Sequence, residues 1–360
     1  MTIAKTTRAC WCGNTNLLAF NPEYGKCNDC GTLVSLNGLA PEQLQVRNDE
    51  TDFYGKQYWH EHQMQDLGFP DIHARARNDL TERNLHWLKT LLKYCLPPAK
   101  VLELGCAQGS FVALLHQTGY DSCGVEMSPW VVEFGKQTFG VPIFVGPVEK
   151  LDMPAGSLDV IALMDVLEHL PDPAATMAHC LRLLKPNGLL LIQTPQFKEE
   201  MNYAELVATK GAFLEVLKAD EHLFLFSDHS VRLLFKQLGA DHIQFEPAIF
   251  GLYDMFFAVS RAALQTNTSE KIESYLLSAS SSGRLTLAML DLRKEIDESN
   301  TDRAARGEQI QTLTAMLQES EADRAARGEQ IQTLTAMLQE SEADRAARWE
   351  QIQSLTAMLK

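Results

Sequence analysis

The sequence predicts an α/β protein. A Rossmann-like sheet with helices on both faces lies between an N-terminal cysteine-rich knuckle and a long C-terminal α-helical coiled coil. Three observations support this fold class. Residues 99–260 alternate short apolar runs with amphipathic segments, as the strands and helices of an α/β sheet do. Four cysteines cluster near the start of the chain, and residues 285–360 repeat with a helical period.

Changes in composition divide the 360 residues into five predicted segments. Aromatic residues, followed by leucines at near-helical spacing, indicate a helical segment before the α/β region, and Pro97-Pro98 ends its last helix. A stretch rich in Ser, Thr and Asn indicates a linker before the repeat. The segments are a zinc-binding knuckle (1–40), a helical and aromatic lid segment (41–98), the α/β domain (99–260), a linker (261–284) and the coiled coil (285–360).

Composition restricts the partners and the compartment. With 47 acidic and 32 basic residues the net charge is −15, so the chain repels a phosphate backbone and nucleic acid is not an expected partner. The N-terminus lacks the apolar core of a signal peptide, and no apolar run is long enough to span a bilayer. We therefore expect a cytoplasmic protein without a transmembrane segment, which reaches the membrane periphery only through a partner. There, cysteines are expected as thiols or metal ligands.

The N-terminal cysteines have the spacing of a metal site. The pairs are Cys10-Trp-Cys12-Gly and Cys27-Asn-Asp-Cys30-Gly, and 14 residues separate Cys12 from Cys27. Two close pairs can place four thiolates around one tetrahedral Zn²⁺, and a glycine after each pair suits the tight turn around the metal. A site with four protein ligands predicts structural zinc. The alternative is four reduced thiols without a ligand in a mobile tail.

The stretch VLELGCAQGSF, at 101–111, indicates a buried strand that enters a ligand-binding loop. A P-loop requires Gly-Lys-Ser/Thr where this chain has Gly109-Ser110-Phe111, and the G-x-G-x-x-G spacing of a dinucleotide fold is also absent. S-adenosylmethionine carries no pyrophosphate and remains as a ligand. Glu126, at the end of the second predicted strand, can accept both ribose hydroxyls. That carboxylate alone does not separate S-adenosylmethionine from NAD.

Four segments together resemble the class I S-adenosylmethionine-dependent methyltransferases, over roughly residues 75–260. They are VLELGCAQGSF, GVEMSP, GPVEKLDMPAGSLDVIALMDVLEHLPDP and LRLLKPNGLLLIQTP. The last fits a helix, a Lys-Pro-Asn-Gly turn and a fifth strand. The E/D-x-G-x-G-x-G motif of the family is met at Glu103, Gly105 and Gly109, but Ala107 replaces the middle glycine. Alanine is small enough to keep the loop, and a positive backbone angle there would be the unfavourable case.

The resemblance implies roles for further residues. Glu126, with Met127 after it, should bind the ribose, and Asp165 should lie beside the methionine end of the cofactor. Val148 and Glu149 fall where the family meets the adenine. Pro147 stands where many members have an Asp, so it cannot supply that side-chain contact.

Two histidines are candidates for a general base. Methyl transfer to a hydroxyl requires removal of a proton, and histidine titrates near neutral pH. His169 follows the fourth predicted strand, and His222 lies in ADEHLFLFS, where Asp220 and Glu221 could orient it. The alternative for both is a structural histidine. Rings before the domain, at Tyr54 and Tyr58, could cap a sulfonium or serve packing alone.

The order of knuckle, methyltransferase region and coil resembles a bacterial group that methylates sugars and cell-surface glycans. It implies O-methylation of a saccharide, a glycan or a related small metabolite. Two alternatives stay open: a scaffold that binds cofactor without catalysis, and an acceptor atom that is nitrogen or carbon.

The C-terminal repeat is the strongest pattern in the chain. DRAARGEQIQTLTAMLQESEA occurs at 302–322 and again at 323–343, and a partial third copy begins at Asp344. One seam with alternating 4–3 spacing runs through it, which is typical of a coiled coil. In each repeat the seam carries Ser, Arg and Arg among its apolar residues, and Glu321 and Asp323 could pair with Arg324 across a partner helix. We expect self-association or a coiled-coil partner; the alternative is a solvated single helix.

Overall fold

The computed structural model describes residues 8–66, 68–279 and 281–359. The strands of this part of the chain are β1 (Leu17–Ala19), β2 (Tyr24–Cys27), β3 (Leu33–Ser35), β4 (Lys100–Leu104), β5 (Asp121–Glu126), β6 (Ile143–Val145), β7 (Leu158–Met164), β8 (Leu184–Pro195), β9 (Phe224–Leu225), β10 (His242–Glu246) and β11 (Asp254–Ser260). The α-helices are α1 (Ile72–Thr81), α2 (Arg83–Tyr94), α3 (Ser110–Thr118), α4 (Pro129–Phe139), α5 (Pro173–Leu183), α6 (Tyr203–Thr209), α7 (Asp228–Gln237), α8 (Ser269–Ala279) and α9 (Ser281–Met358). A π-helical segment covers Tyr58–Asp66.

Seven strands form one mixed sheet in the order β10-β11-β8-β7-β4-β5-β6. Neighbours from β8 to β6 pair in parallel, whereas β11 is antiparallel to both β8 and β10. The chain moves outward from β4 through β5 to β6, then returns and moves the other way from β7 to β8. The strand order therefore reverses between β4 and β7, and a ligand crevice is expected beyond the carboxyl ends of these strands.

Apolar side chains cover both faces of this sheet, which explains why its central strands read as continuous apolar runs. Along β4, Val101 packs in a core cluster with residues of α2, α3 and α8, while Leu102 packs in a second cluster with residues of α5 and α7. Successive strand residues point to opposite faces, so helices cover both sides. The predicted Rossmann-like sheet is confirmed.

The predicted Lys-Pro-Asn-Gly turn lies inside β8 rather than before it. Leu184 pairs with Leu158 and Leu189 pairs with Val160, so residues 185–188 form an irregularity within the strand. Gly188 lies close to the backbone of Asp159, where a Cβ would be 3.0 Å from the carbonyl oxygen.

The knuckle is joined to the main domain by a small sheet. Its order is β1-β2-β3-β9, and β9 comes from residues that follow His222 in the sequence. Leu33 pairs with Leu225, and Val34 pairs with Phe224. Residues 8–40 therefore do not form a separate tail; they extend a sheet into the region after β8.

The structure differs from the predicted linker at 261–284. Helix α8 occupies much of that segment, and its Leu276 is fully buried in the cluster shared with α2 and α3. Ile272 and Leu276 are one helical turn apart, so they present one apolar side to the domain. Because many of the residues around Ile272 and Leu276 are polar, the helical signal in the sequence is weak here.

The chain divides into two compact units at Arg293 and Lys294. In the first unit, the start of α9 packs on the domain, because Thr286 is buried and its hydroxyl lies 3.5 Å from that of Thr118. In the second unit, the apolar residues of the repeat are exposed, with Ile310 63% and Leu313 64% accessible. None of the described helices combines the length and apolarity needed to cross a membrane.

Candidate active site

A cavity of about 930 Å³ opens at the carboxyl ends of β4, β5 and β7. This is the position at which the strand order reverses. The cavity brings together predicted site residues that are far apart in the sequence, and those on its wall are Glu103, Gly105, Ala107, Glu126, Met127, Val148, Glu149, Asp165, His169 and His222. Gly109 lies behind the wall, where it begins α3.

The loop after β4 depends on backbone angles that favour glycine. Gly105 and Gly109 have φ of 68° and 79°, and a Cβ on either would come within 2.6 Å of a neighbouring side chain. Ala107 also has a positive φ, of 47°. The case that the sequence left as unfavourable is therefore the one observed. A left-handed alanine costs about 1–2 kcal/mol, and such strain is characteristic of functional loops.

Glu126 holds this loop in place. Its Oε2 accepts a hydrogen bond from the amide of Ala107 at 3.1 Å, and its Oε1 accepts from the amides of Met127 and Ser128 at 2.7 and 3.1 Å. Burial raises the pKa of Glu126, and these three backbone donors oppose the shift. The carboxylate that the sequence assigns to a ribose thus lies beside the glycine loop, at the end of β5.

Glu103 lies deeper in the cavity wall. Its side chain is buried, and Oε2 has no hydrogen-bond partner among the described residues. Burial raises the pKa of this carboxyl well above its usual value, and the nearby carboxyls of Glu126 and Asp79 add to the shift. A buried oxygen without a donor is unfavourable unless a ligand supplies one.

Asp165 follows β7 directly and also has a positive φ, of 58°. Its Oδ1 accepts from the side-chain Nε2 of Gln193 at 3.1 Å, and its Oδ2 lies 3.8 Å from a guanidinium nitrogen of Arg83. Across the cavity floor, burial and the charge of Asp165 raise the pKa of Asp254 to about 8. This end of the cavity is therefore rich in carboxyl groups.

The predicted adenine side is partly apolar. Val148 is buried in a short 3₁₀ turn, whereas Glu149 is exposed and accepts from the hydroxyl of Thr176 at 2.6 Å. Pro147 lies on the cavity wall beside Gly146.

The two candidate histidines are neighbours, with ring centroids 4.9 Å apart. The Nδ1 of His222 lies 2.7 Å from the carbonyl oxygen of Val216, and that of His169 lies 2.9 Å from the carbonyl oxygen of Glu221. A carbonyl can only accept, so each Nδ1 carries the proton and each Nε2 holds a lone pair. Burial lowers the pKa of both rings, well below the usual value for His222.

The expected orientation of His222 by a carboxylate is wrong. The carboxylate of Glu221 instead accepts from the hydroxyl of Tyr58 at 3.1 Å and lies 2.6 Å from Nε2 of His62. Adjacent side chains in an irregular segment diverge here, and a backbone carbonyl provides the contact to His222. Tyr54 places its hydroxyl 3.1 Å from Nδ1 of His169, so this ring belongs to the histidine side of the cavity.

Two carboxylates close to the site were not singled out from the sequence. Asp49 accepts from the hydroxyl of Ser128 and from the amide of Trp130, both at 2.9 Å, and so ties the lid segment to the start of α4. Glu168 is fully buried between Asp165 and His169 on the cavity wall. Glu168 is part of the segment DVLEHL, in which only Asp165 and His169 carried a predicted role.

The four knuckle cysteines form a compact cluster. The Sγ atoms of Cys10 and Cys30 are 3.4 Å apart, those of Cys12 and Cys27 are 3.6 Å apart, and all four lie within 4.8 Å of one another. Two ligands of a tetrahedral Zn–S site are separated by about 3.8 Å, so the thiols already have suitable spacing. A hydrogen bond with Cys10 lowers the pKa of Cys30 to about 5.

Residues 74–244 match the family described as Methyltransferase domain. This range contains the glycine loop, Glu126, Asp165 and both histidines. This part of the chain is therefore a methyltransferase domain. The matched residues contain five of the seven strands of the large sheet, β4 to β8, whereas β11 and the knuckle lie outside them.

Curated relatives share the domain over part of their length. A ubiquinone biosynthesis O-methyltransferase from Xanthomonas campestris pv. campestris is 33% identical over 109 residues, which cover 28% of this chain and 45% of the relative. One from Thiobacillus denitrificans is 28% identical over 131 residues, which cover 35% and 56%. The chain spans about half the length of the curated relatives it matches.

Solved structures resemble the chain at low sequence identity. The YcgJ protein from Bacillus subtilis aligns with a TM-score of 0.40 at 16% identity, covering 50% of this chain and 99% of that one. Geranyl diphosphate C-methyltransferase from Streptomyces coelicolor aligns with a TM-score of 0.39 at 13% identity, covering 50% and 79%.

Proposed function

We propose that the protein is an O-methyltransferase that transfers the methyl group of S-adenosylmethionine to a hydroxyl of a small molecule. One observation carries this proposal. A single cavity contains the glycine loop with its Glu126 carboxylate and, on its wall, two histidines whose Nε2 lone pairs are available. A cofactor end and a proton-accepting end are thus enclosed together.

The residues of the cavity fit S-adenosylmethionine. The unpartnered Oε2 of Glu103 suits the ammonium of an amino-acid group, because a cationic donor satisfies a buried carboxylate oxygen. A Cβ at position 105 would collide with Val166, so only glycine fits there. Without a side chain, its backbone can also approach a ligand closely. Glu126 and Met127 would hold the ribose, Val148 and Glu149 the adenine, and Asp165 the methionine end.

When bound, S-adenosylmethionine would supply a methyl group on a sulfonium, from which an acceptor oxygen can displace it. The protein must align the acceptor and receive its proton. Tyr54 and the carbonyl of Glu221 fix the ring of His169, and the carbonyl of Val216 fixes the ring of His222. Either histidine can then receive the hydroxyl proton at Nε2.

Oxygen is the favoured acceptor atom, because the curated relatives are named as O-methyltransferases. Within that class we propose a saccharide, a cell-surface glycan or a related small metabolite, from the order of knuckle, domain and repeat. We also propose that the four cysteines hold structural Zn²⁺ and that residues 294–360 assemble copies of the chain as a coiled coil.

A cofactor-turnover screen tests this function. Full-length, zinc-loaded protein is incubated with S-adenosylmethionine and panels of nucleotide sugars, glycans, phenols and amines, and S-adenosylhomocysteine is quantified. We expect product with a hydroxyl acceptor, confirmed by mass spectrometry of the methylated oxygen. Product only with amines or carbon nucleophiles would contradict O-methylation. Cofactor binding without turnover on any panel would favour a scaffold.

A further inference from the structure

We propose that Glu168, His169 and His222 form a second metal site, which takes a divalent transition-metal ion at the acceptor end of the cavity. This inference rests on the proposed function and refines it, because an ion bound to both imidazoles, rather than a free Nε2 lone pair, would activate the acceptor hydroxyl. None of the four knuckle cysteines is a ligand of this site.

The three side chains converge although they come from different segments. Glu168 and His169 belong to the short 3₁₀ turn after β7, whereas His222 precedes β9. One ligand atom from each lies within 4.8 Å of the others, and all three residues line the cavity. The Nε2 of His169 is 3.9 Å from Oε1 of Glu168. A tetrahedral ion at 2.1 Å from each ligand would draw them to about 3.4 Å, a shift of roughly an ångström.

Hydrogen bonds to the surrounding protein fix the orientation of the three side chains. They leave one atom of each side chain, an imidazole nitrogen or a carboxylate oxygen, available to bind an ion. Both Nδ1 atoms donate to backbone carbonyls, those of Val216 and Glu221, so both Nε2 atoms keep a lone pair. On Glu168, Oε2 accepts from the hydroxyl of Thr194 at 2.8 Å and leaves Oε1 for a ligand. Metal-binding histidines typically have this arrangement, in which the second nitrogen is fixed by an outer acceptor.

Glu168 provides a second observation that points to a ligand. Its side chain is 1% exposed, and Oε1 has no hydrogen-bond partner among the described residues. Charged groups close to it are Asp165 and Asp254 on the carboxyl-rich floor, while Lys218 lies on the cavity wall. A buried carboxylate oxygen facing two neutral imidazoles is unfavourable without a cation, and a divalent ion satisfies all three donors together.

The types of the three ligand atoms determine which class of ion the site prefers. Two imidazoles and one carboxylate suit Zn²⁺, Fe²⁺, Co²⁺ or Mn²⁺, whereas Mg²⁺ prefers oxygen ligands. Three protein ligands leave coordination positions open to the cavity. A hydroxyl bound there would lose its proton at lower pH than a free hydroxyl, as metal-bound water does, and the carboxyl group of Asp254 on the cavity floor would receive that proton. An acceptor with two adjacent oxygen atoms could occupy two open positions, so we assign chelating hydroxyl compounds as the substrate class.

Metal counting tests the proposal without an identified acceptor. Untagged full-length protein is treated with chelator, loaded with Zn²⁺ or Co²⁺, desalted and analysed for metal by mass spectrometry. Glu168→Gln keeps the contact to Thr194, and His222→Gln removes one imidazole. We expect each to bind one equivalent less than wild type, while exposed His229→Gln on α7 binds the wild-type amount. Equal metal content in wild type and both site variants would overturn the proposal.

Cobalt spectra separate the two sites. In the wild type loaded with Co²⁺, thiolate-to-cobalt charge-transfer absorption reports the knuckle and weaker visible bands report a nitrogen–oxygen site. Glu168→Gln should keep the charge-transfer absorption and lose the weaker bands. S-adenosylhomocysteine calorimetry on the same samples reports the fold of the variants. Normal ligand binding without a second equivalent of metal rejects this site alone, whereas loss of ligand binding by wild type rejects the proposed function.

Discussion

At the scale of single residues, the cofactor loop is determined by Ala107 and Glu126. Ala107 has a φ of 47°, a region that alanine rarely adopts, and its amide donates to Glu126. Glycine, which the family has here, would adopt this angle without strain. The chain keeps the geometry of the loop at a cost in stability, because the carboxylate and the glycines around it determine the backbone path.

Ala107→Gly should therefore stabilise the protein. The strain energy of a left-handed alanine is larger than the additional conformational entropy that glycine loses on folding. We therefore expect the unfolding free energy to rise by about 0.5–1 kcal/mol. Ala113→Gly within α3 is the matched control and should lose about 0.5–1 kcal/mol, because glycine is unfavourable in a helix. Denaturant unfolding monitored by circular dichroism measures both. A lower unfolding free energy for Ala107→Gly than for the wild type would contradict backbone strain at Ala107.

Residues at strand ends could be predicted from the sequence, because residue type and position jointly indicate the site. Glu126 ends β5 and Asp165 follows β7, so both reach the crevice as expected. The partner of His222 could not be predicted. Glu221 is adjacent in sequence, yet its carboxylate points to Tyr58, and the contact comes from the carbonyl of Val216.

At the scale of elements, the knuckle supports the segment that carries His222. Strand β3 pairs with β9, the hydroxyl of Tyr24 donates to the carbonyl of His222 at 2.9 Å, and that of Ser35 donates to the carbonyl of Ala219 at 2.6 Å. The two-residue β9 has too little sequence signal to be predicted, and its partner lies about 190 residues earlier. The proposed zinc would thus stabilise the acceptor side of the cavity from outside it.

Loss of zinc from the knuckle should loosen this segment selectively. In Cys27→Ser, amide hydrogen exchange measured by mass spectrometry should rise at least tenfold in residues 32–36 and 219–226, because their shared strand pairing depends on the folded knuckle. Peptides from β7 should exchange at the wild-type rate. Cys95→Ser, a half-buried thiol outside the knuckle, is the control. If residues 219–226 of Cys27→Ser exchange their amide hydrogens at the wild-type rate, the strand pairing does not depend on the folded knuckle.

At the scale of the whole molecule, the methyltransferase domain and the repeat are separate units. The repeat shows apolar residues at seam spacing, but within the helix Asp323 pairs with Arg327 at 2.8 Å and Asp344 pairs with Arg348 at 2.9 Å. Arg324 lies 4.0 Å from Glu321 of its own helix, and its pairing across a partner helix stays a prediction. The sequence predicted the helix and its period, since both follow from a 21-residue repeat. Thr286, which falls in the predicted coil, is buried against the domain.

Removal of residues 294–360 should lower the oligomeric state and preserve the domain. Light scattering coupled to size exclusion should give a multiple of the chain mass for the full protein and a smaller multiple after truncation. Leu313→Lys with Leu334→Lys should have the same effect at full length, because both are seam positions with exposed side chains. Equal assembly of all three proteins would contradict self-association through the coil.

Cofactor binding measured by titration calorimetry tests the central claim most directly. We predict that folded full-length protein binds one S-adenosylhomocysteine per chain. Glu126→Ala should weaken binding at least tenfold, since it removes a buried carboxylate that joins the loop to the ribose position. Glu133→Ala, an exposed carboxylate on α4, should bind as wild type does. Absence of binding by folded wild type, or equal affinity in the Glu126 variant, would contradict the account.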